Sequence, residues 1–403
     1  MGDPFGAIGQ WLLDLLTGWG LAPALAAVLL KFLGAAILGT AVLVLTFFLI
    51  WVERKVLARL QDRLGPNRVG PWGIFQTLAD ALKLVVKEII TPRGVDVVVY
   101  YLAPLMAVMS VVSLWAVVPL APRLIGSDIN VGVLYIVGMG AVGTLAIMLA
   151  GWSSNNKYAL LGAFRSVAQL VSYEVPMVLS LILPTLLAGS MGMVEIVEQQ
   201  RAVWFVALAP LAALIFFVSS IAEAGKAPFD LLEAESEIVA GYNIEYSGLV
   251  FGMFYVAEFL HGFTISALTA VLFLGGWLGP WADQFPLLGF VYFAVKTAVV
   301  YFCVIWIRGS LPRFRIDQVN SINWKLITPV ALATLAVAAI TDKLVPLLGW
   351  GRLPLHLAAN GLIVAVTLFA LRAYARSARR KLDARLDTLQ LRAQPASSTS
   401  GAN

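Results

Sequence analysis

The sequence predicts an all-α fold, a polytopic transmembrane helix bundle of about nine spans accompanied by in-plane amphipathic helices. Three observations carry this. Hydrophobic residues fill 60% of the 403 positions and charged residues only 13%, whereas a soluble domain is near half apolar and a quarter charged. Apolar runs of roughly 20 residues, the length a helix needs to cross a bilayer, recur between Gly, Pro and charged residues. Once the spans are drawn, 22 of the 28 basic residues lie on one side, the bias expected of cytoplasmic loops.

The segment before Lys31, with Trp11 and Trp19, reads as an interfacial piece whose tryptophans suit a headgroup belt. Met1–Asp3 lacks a basic start and no small-residue cleavage site follows, so no removed signal peptide is expected. Spans are expected near Lys31–Trp51, Val99–Leu120, Val131–Gly151, Val167–Ala188, Val203–Ala222, Gly248–Leu274, Leu288–Ile307, Leu326–Leu344 and Leu355–Leu371. The organisation that follows is an external segment (1–30), a bundle (31–347), one extra C-terminal span (348–374) and a basic, then disordered, cytoplasmic tail (375–403). An odd number of crossings puts the N-terminus outside and the C-terminus in the cytoplasm. No internal repeat is visible, which weighs against a secondary transporter, a class commonly built from duplicated halves.

Two cytoplasmic loops stand out. The first, Glu53 to Asp96 (53–96), is far longer than a helix–helix connection requires. It opens ERKVLARLQDRLGPNRVGP, where Gly65-Pro66-Asn67 and Gly70-Pro71 mark turns between basic residues. It continues WGIFQTLADALKLVVKEII, with Phe75, Leu78, Leu82, Val85 and Ile89 at helical spacing and Gln76, Asp80, Lys83 and Lys87 opposite. That pattern suits a helix lying in the membrane plane. The second loop (223–247) holds Glu223, Asp230, Glu233, Glu235, Glu237 and Glu245 against Lys226 alone. With Glu258 in the next span, seven of the 23 acidic residues fall within 36 positions. A solvated acidic loop would read the same way, but the flanking Phe229, Leu231, Leu232, Ile238, Val239, Tyr242 and Ile244 argue for partial burial. Clustered carboxyls beside a membrane cannot all ionise. Glu174, in SYEVP at the fourth span, is costly to bury and marks function by default. Lys296 in the seventh span is expected to pair with a glutamate of a neighbouring helix, and His261, one turn beyond Glu258, reads either as a member of that pair or as a packed polar residue.

One cysteine (Cys303) and two distant histidines (His261, His356) exclude an iron–sulfur cluster held by this chain alone, which needs about four thiolates, and make a poor metal site. No hydride or electron-transfer centre is expected here, and none of these patterns points to nucleic acid.

ERKVLARLQDRLGPNRVGPWG, ADALKLVVKE, GWSSNNKYALLGAFRSVAQLVSYEV, AEAGKAPFDLLEAESEIVAGYNIEYSG and WIRGSLPRFRIDQ strongly resemble, in the same order, the H subunit of the proton-pumping NADH:quinone oxidoreductase, respiratory complex I. The likeness covers about Lys31 to Lys343. It implies a place in the bacterial inner membrane beneath the peripheral arm, whose iron–sulfur subunits carry the redox centres, beside small membrane subunits and antiporter-like subunits. It also implies quinone (ubiquinone or menaquinone) as substrate. The chamber-lining positions it carries over are Glu53, Arg54, Arg59, Arg63, Arg68, Asp80 and Lys83, with Arg165 in the loop before Glu174. The glutamate path it carries over is Glu174, Glu223, Glu233, Glu235, Glu237 and Glu258, with Asp230 beside it. Two departures matter: Leu232 stands where many relatives have proline, and Phe259 where a tyrosine is usual, removing a hydroxyl near Glu258. A membrane-bound hydrogenase anchor, an independent transporter and a purely structural anchor are the competing readings.

Overall fold

The computed structural model describes residues 4–230, 239–348 and 351–393. Among the described residues it contains helices and turns without a strand: α1 (Pro4–Gly18), α2 (Pro23–Leu60), α3 (Gln76–Val86), α4 (Val97–Leu114), α5 (Gly132–Ser153), α6 (Lys157–Ala188), α7 (Met193–Glu198), α8 (Phe205–Leu208), α9 (Pro210–Glu223), α10 (Gly248–Phe273), α11 (Pro286–Ser310), α12 (Ile316–Ile322), α13 (Thr328–Leu348) and α14 (Arg352–Ala393). Eight described helices are long and apolar enough to cross a membrane, α12 and α13 counting as one through a π-helical turn at Asn323–Ile327. The fifth expected crossing is present but broken. It is split at Ala209 into the four-residue α8 and the 14-residue α9.

The centre of the bundle is α10, which packs on α11, α4 and α2 and buries most of its second half. Around it α4 lies on α5, α5 on α6 and α6 on α9. Trp277, Tyr100, Tyr173, Phe205 and Phe216 are fully enclosed. The outward faces of α2, α11 and α14 instead expose Phe32, Phe48, Trp306, Leu362 and Phe369, as helices facing hydrocarbon do.

Three boundaries differ from the expectation. Pro23 opens α2 at its first turn, where proline is pre-organised for a helix, and nothing breaks the helix before Leu60. The segment just before Lys31 is therefore part of the first crossing, and Glu53, Arg54 and Arg59 ride on a helix rather than a loop. The fourth helix starts ten residues earlier than expected, because the Asn156 side chain accepts the Tyr158 N–H at 2.9 Å and caps it. Arg165 is thus helical. The basic stretch after 375 continues α14 as helix to Ala393, and residues 394–403 lie outside the described residues.

Prolines inside crossings free backbone carbonyls that hydrocarbon cannot satisfy, so other groups must. Pro104 leaves the Tyr100 carbonyl without its helical donor, and the Tyr246 hydroxyl donates to it at 3.3 Å. Pro176 does the same to Ser172, whose carbonyl accepts from Asn323 Nδ2 at 2.6 Å. At the break between α8 and α9, Asn360 of α14 donates to the Leu208 carbonyl at 3.0 Å. These repairs fasten α13 and α14 to the part of the bundle that carries the acidic residues.

Lys296 does not pair with a glutamate. Gly275 and Gly276, both at positive φ, turn the chain back after α10, and the carbonyls of Leu274, Gly276 and Leu278 converge on Lys296 Nζ at 2.8, 3.0 and 2.8 Å. The ammonium also lies 4.5 Å over the Trp204 ring. A cation placed on the carbonyl end of a helix is favourable, and here that end takes the charge that a carboxylate was expected to take.

Candidate functional site

α2 ends at Leu60, and the chain then turns through Asp62, Gly70, Trp72 and Gly73, all at positive φ, into the in-plane helix α3. An added Cβ at Gly73 would come within 2.3 Å of the Pro66 carbonyl oxygen, so the Gly-Pro-Asn turn folds directly onto this glycine. The apolar stripe Phe75, Leu78, Leu82, Val85 and Ile89 is exposed, the arrangement expected of a helix floating on a membrane surface. The face turned to the bundle is built from Thr77, Asp80, Ala81 and Leu84. Leu84 fits against α10 because position 252 is glycine, where a Cβ would lie 3.0 Å from Leu84 Cδ1.

Asp80 ties α3 to α2. Arg54 donates to its Oδ2 at 2.5 Å and Gln76 to its Oδ1 at 3.1 Å. Burial works to raise this carboxyl, but the hydrogen bonds from Arg54 and Gln76 and the charges of Arg54 and Lys83 outweigh it and hold it below the usual carboxylate range. Arg54, Arg63 and Arg68 line one cleft with the Gly65-Pro66-Asn67 turn and Gln76. Arg59 and Lys83 are exposed outside that set, and Arg165 is half-buried on α6.

Glu53 points the other way, into the bundle. It is buried, salt-bridged to Arg308 in the last turn of α11, and accepts a hydrogen bond from the Tyr301 hydroxyl at 3.1 Å. No local sequence signal marks Arg308 or Tyr301 for this place. Arg308 sits in the WIRGS stretch, and its role shows only when α2 and α11 pack.

The acidic residues gather around a cavity of about 70 Å³ between α4, α5, α6 and α10, lined by Glu223, Glu258, His261, Ser110, Thr144 and Tyr242 among others. At roughly 10–15 Å³ per water, it has room for several. Glu223 ends α9, with His261 Nε2 3.9 Å from its Oε1. Gly140 of α5 faces the same oxygen, and a Cβ there would come within 3.5 Å of it. Glu174 is half-buried on α6, within electrostatic reach of Glu223. Glu258 on α10 is paired with Lys226 at 2.7 Å, and the same ammonium lies 4.4 Å over the Phe259 ring. Asp230 is not at the cavity; it faces Arg313 at 2.8 Å. Glu233, Glu235 and Glu237 lie outside the described residues.

The start of the acidic loop is held by Gln169, fully buried on α6, whose amide donates to the carbonyls of Ala222 and Phe229 at 2.7 Å each. Its far end is held by Glu245, which accepts from Asn156 Nδ2 at 2.6 Å and, through its backbone carbonyl, from the Tyr100 hydroxyl at 2.8 Å. His261 lines the cavity, and Lys226 is tied to it through Glu258. The signals available for them are the one-turn spacing from Glu258 and the single base in an acidic stretch. Among the described residues no group of three or more His, Cys, Asp or Glu is placed to hold a metal ion.

The arrangement offers a charged cleft beside α3, a buried carboxylate held by arginine and tyrosine, and a small cavity whose largely apolar wall carries two carboxyls and an imidazole. The family model described as NADH dehydrogenase matches residues 33–339. The chain is 45% identical over 305 residues to the H subunit of the NADH-quinone oxidoreductase of Dehalococcoides mccartyi (strain CBDB1), covering 76% of this chain and 85% of that protein. It is 45% identical over 302 residues to the corresponding protein of Rhodospirillum centenum (strain ATCC 51521 / SW), covering 74% and 89%, and 43% identical over 314 residues to that of Geobacillus sp. (strain WCH70), covering 77% and 93%. The chain belongs to the NADH dehydrogenase family, as a membrane-embedded H-type component of the enzyme complex NADH-quinone oxidoreductase.

Proposed function

We propose that this chain walls the membrane side of a quinone chamber and carries the first stretch of the path that couples quinone reduction to proton translocation. The observation that supports it most is the pair of sites bearing charge: the cleft of Arg54, Arg63 and Arg68 beside Asp80, and the cavity that holds Glu223, Glu258 and His261. The isoprenoid tail of the quinone (ubiquinone or menaquinone) enters from the bilayer between α2 and α3, and its head moves toward the peripheral arm. There the iron–sulfur subunits supply two electrons and the head gains two protons. The change of charge in a poorly hydrated space acts strongly on neighbouring carboxyls, first on Glu53 and then on Glu258, Glu223 and Glu174. These pass the signal toward the antiporter-like subunits. Glu233, Glu235 and Glu237 belong to the same path in this reading. In this reading the bias of basic residues puts the side that carries Arg54, Lys157, Lys226 and Arg308 in the cytoplasm, with the assembly in the inner membrane.

The test is Glu223→Gln in the whole complex in inverted membrane vesicles. NADH-driven proton uptake is expected to fall at least about 10-fold, the scale of a lost acid–base group. Electron transfer from NADH to an artificial acceptor that intercepts electrons before quinone should persist and report assembly. Wild-type uptake in that variant overturns the proposal.

A further inference from the structure

We propose that Tyr301 is a positioning residue that joins the Glu53–Arg308 pair to the Lys226–Glu258 pair, so that the loop side and the acidic cavity respond as one unit. The inference rests on the reading above, in which Glu53 and Glu258 both serve the coupling.

Tyr301 sits on α11 against α10. It is almost wholly buried, and its hydroxyl donates to Glu53 Oε2 at 3.1 Å. Its ring meets Phe263 of α10 edge-on, with centroids 5.6 Å apart. The second pair approaches the same stretch of α10. A Cβ added at Gly262 would lie 3.8 Å from Lys226 Cε and 4.0 Å from Tyr301 Cε2. The stem of the lysine that neutralises Glu258 and the tyrosine ring therefore converge on one glycine of α10. Glu258 is also within electrostatic reach of the tyrosine.

The chemistry asks for such a group. Glu53 takes its charge from Arg308 on one side, and a carboxylate held by one ion pair alone is free to rotate in its site. A donor of fixed direction on its second oxygen removes that freedom, and a hydrogen bond to a charged group is among the stronger ones. The ring is rigid and carries the constraint from α11 to the backbone of α10 at Gly262, which the Lys226 stem also approaches. When the charge at Glu53 changes, the hydroxyl either keeps its acceptor or loses it, and the ring's seat beside Gly262 shifts with it. Packing alone would be served equally by phenylalanine, because the surrounding cluster of Leu49, Ile305, Leu45, Val52 and Phe263 is apolar. The hydroxyl is the part that packing leaves unexplained.

The experiment is Tyr301→Phe in the whole complex in membrane vesicles, which keeps the ring and deletes the hydroxyl. Electron transfer from NADH to an artificial pre-quinone acceptor measures assembly. NADH:quinone reductase kcat is expected to fall about 10- to 100-fold with the quinone KM unchanged, the loss of one hydrogen bond to a charged group. Combining Tyr301→Phe with Glu53→Gln and, separately, with Glu258→Gln should give less than the product of the single effects in both cycles. Effects that multiply in the Glu258 cycle, or wild-type kcat in Tyr301→Phe, overturn the proposal. A KM rise with kcat unchanged also overturns it, because that reports quinone binding instead. If Glu53→Gln and Glu258→Gln are each wild type, the coupling reading itself has failed, an outcome distinct from failure of the tyrosine link alone.

Discussion

In the acidic region Lys226 meets Glu258 at 2.7 Å with side chains only 4% and 18% exposed, whereas in the basic loop Arg54 meets Asp80 at 2.5 Å with 45% and 29% left open. The two pairs are alike in chemistry and opposite in circumstance. A buried ion must be matched inside the chain, because its desolvation costs several kcal/mol. Lys226 is accordingly matched by Glu258 and by the Phe259 face. The loop keeps Arg59, Arg63, Arg68 and Lys83 exposed and turns the apolar stripe of α3 outward as well. The described part of the first region is interior. The other leaves its charges and its apolar face open.

The comparison can be broken most severely at Lys226. Lys226→Met strands Glu258 as a buried charge, and removing one partner of such a pair costs about 3–5 kcal/mol, while replacing both costs far less. Lys226→Met should sharply lower the amount of assembled complex on native gels, and Lys226→Met with Glu258→Leu should restore assembly without restoring quinone-dependent proton uptake. Equal loss of assembly in single and double variants would show that the pair is not matched internally. A smaller break is Gln169→Ala. It leaves the Ala222 and Phe229 carbonyls without their donor in a buried place, at about 1–3 kcal/mol for a stranded polar group. Amide hydrogen exchange in residues 222–230 should speed up there and remain unchanged in α3. Unaltered exchange would show that other groups hold the loop.

The same contrast explains what is legible in the sequence. The crossings, the in-plane helix and the acidic cluster are visible because each follows from local pattern: apolar length, three- and four-residue spacing, and composition within a short window. The motifs that carry the resemblance name Glu53, Arg54, Asp80 and Glu223. What stays hidden is what tertiary packing alone decides. Arg308 is 255 positions from Glu53, and no local pattern assigns it to that carboxylate rather than to the membrane surface. Lys296 defeats a sequence reading because its partners are carbonyls released by a glycine turn, and one dimension shows which charges exist but not which dipoles face them. Asp230 reads as one of the acidic cluster, yet it lies away from the cavity, facing Arg313. The prolines are visible, while Asn323 and Tyr246, which repair what they release, and Asn360, which repairs the break at Ala209, come from segments far along the chain.

The mildest expected effect belongs to the loop, and its form matters more than its size. Asp80→Asn keeps the shape of the side chain and its bond from Gln76 but removes the charge that faces Arg54. An ion pair this exposed contributes about 0–1 kcal/mol to stability, so assembly and melting of the complex should hardly change. Quinone reductase activity should drop severalfold, because Arg54 is then no longer held against α3 beside the Arg63 and Arg68 cleft. The pH dependence separates this from a titration effect. The folded Asp80 carboxyl lies below its ordinary value near 3.8, so whatever the pair contributes is fully present above that value and is lost only as pH falls further, through the depressed folded value. Over an assay range of about pH 6–8 the ratio of variant to wild-type activity should therefore be flat. A ratio that changes across that range would mean that Asp80 gains and loses its proton during turnover. The loop would then share the proton chemistry assigned above to the cavity.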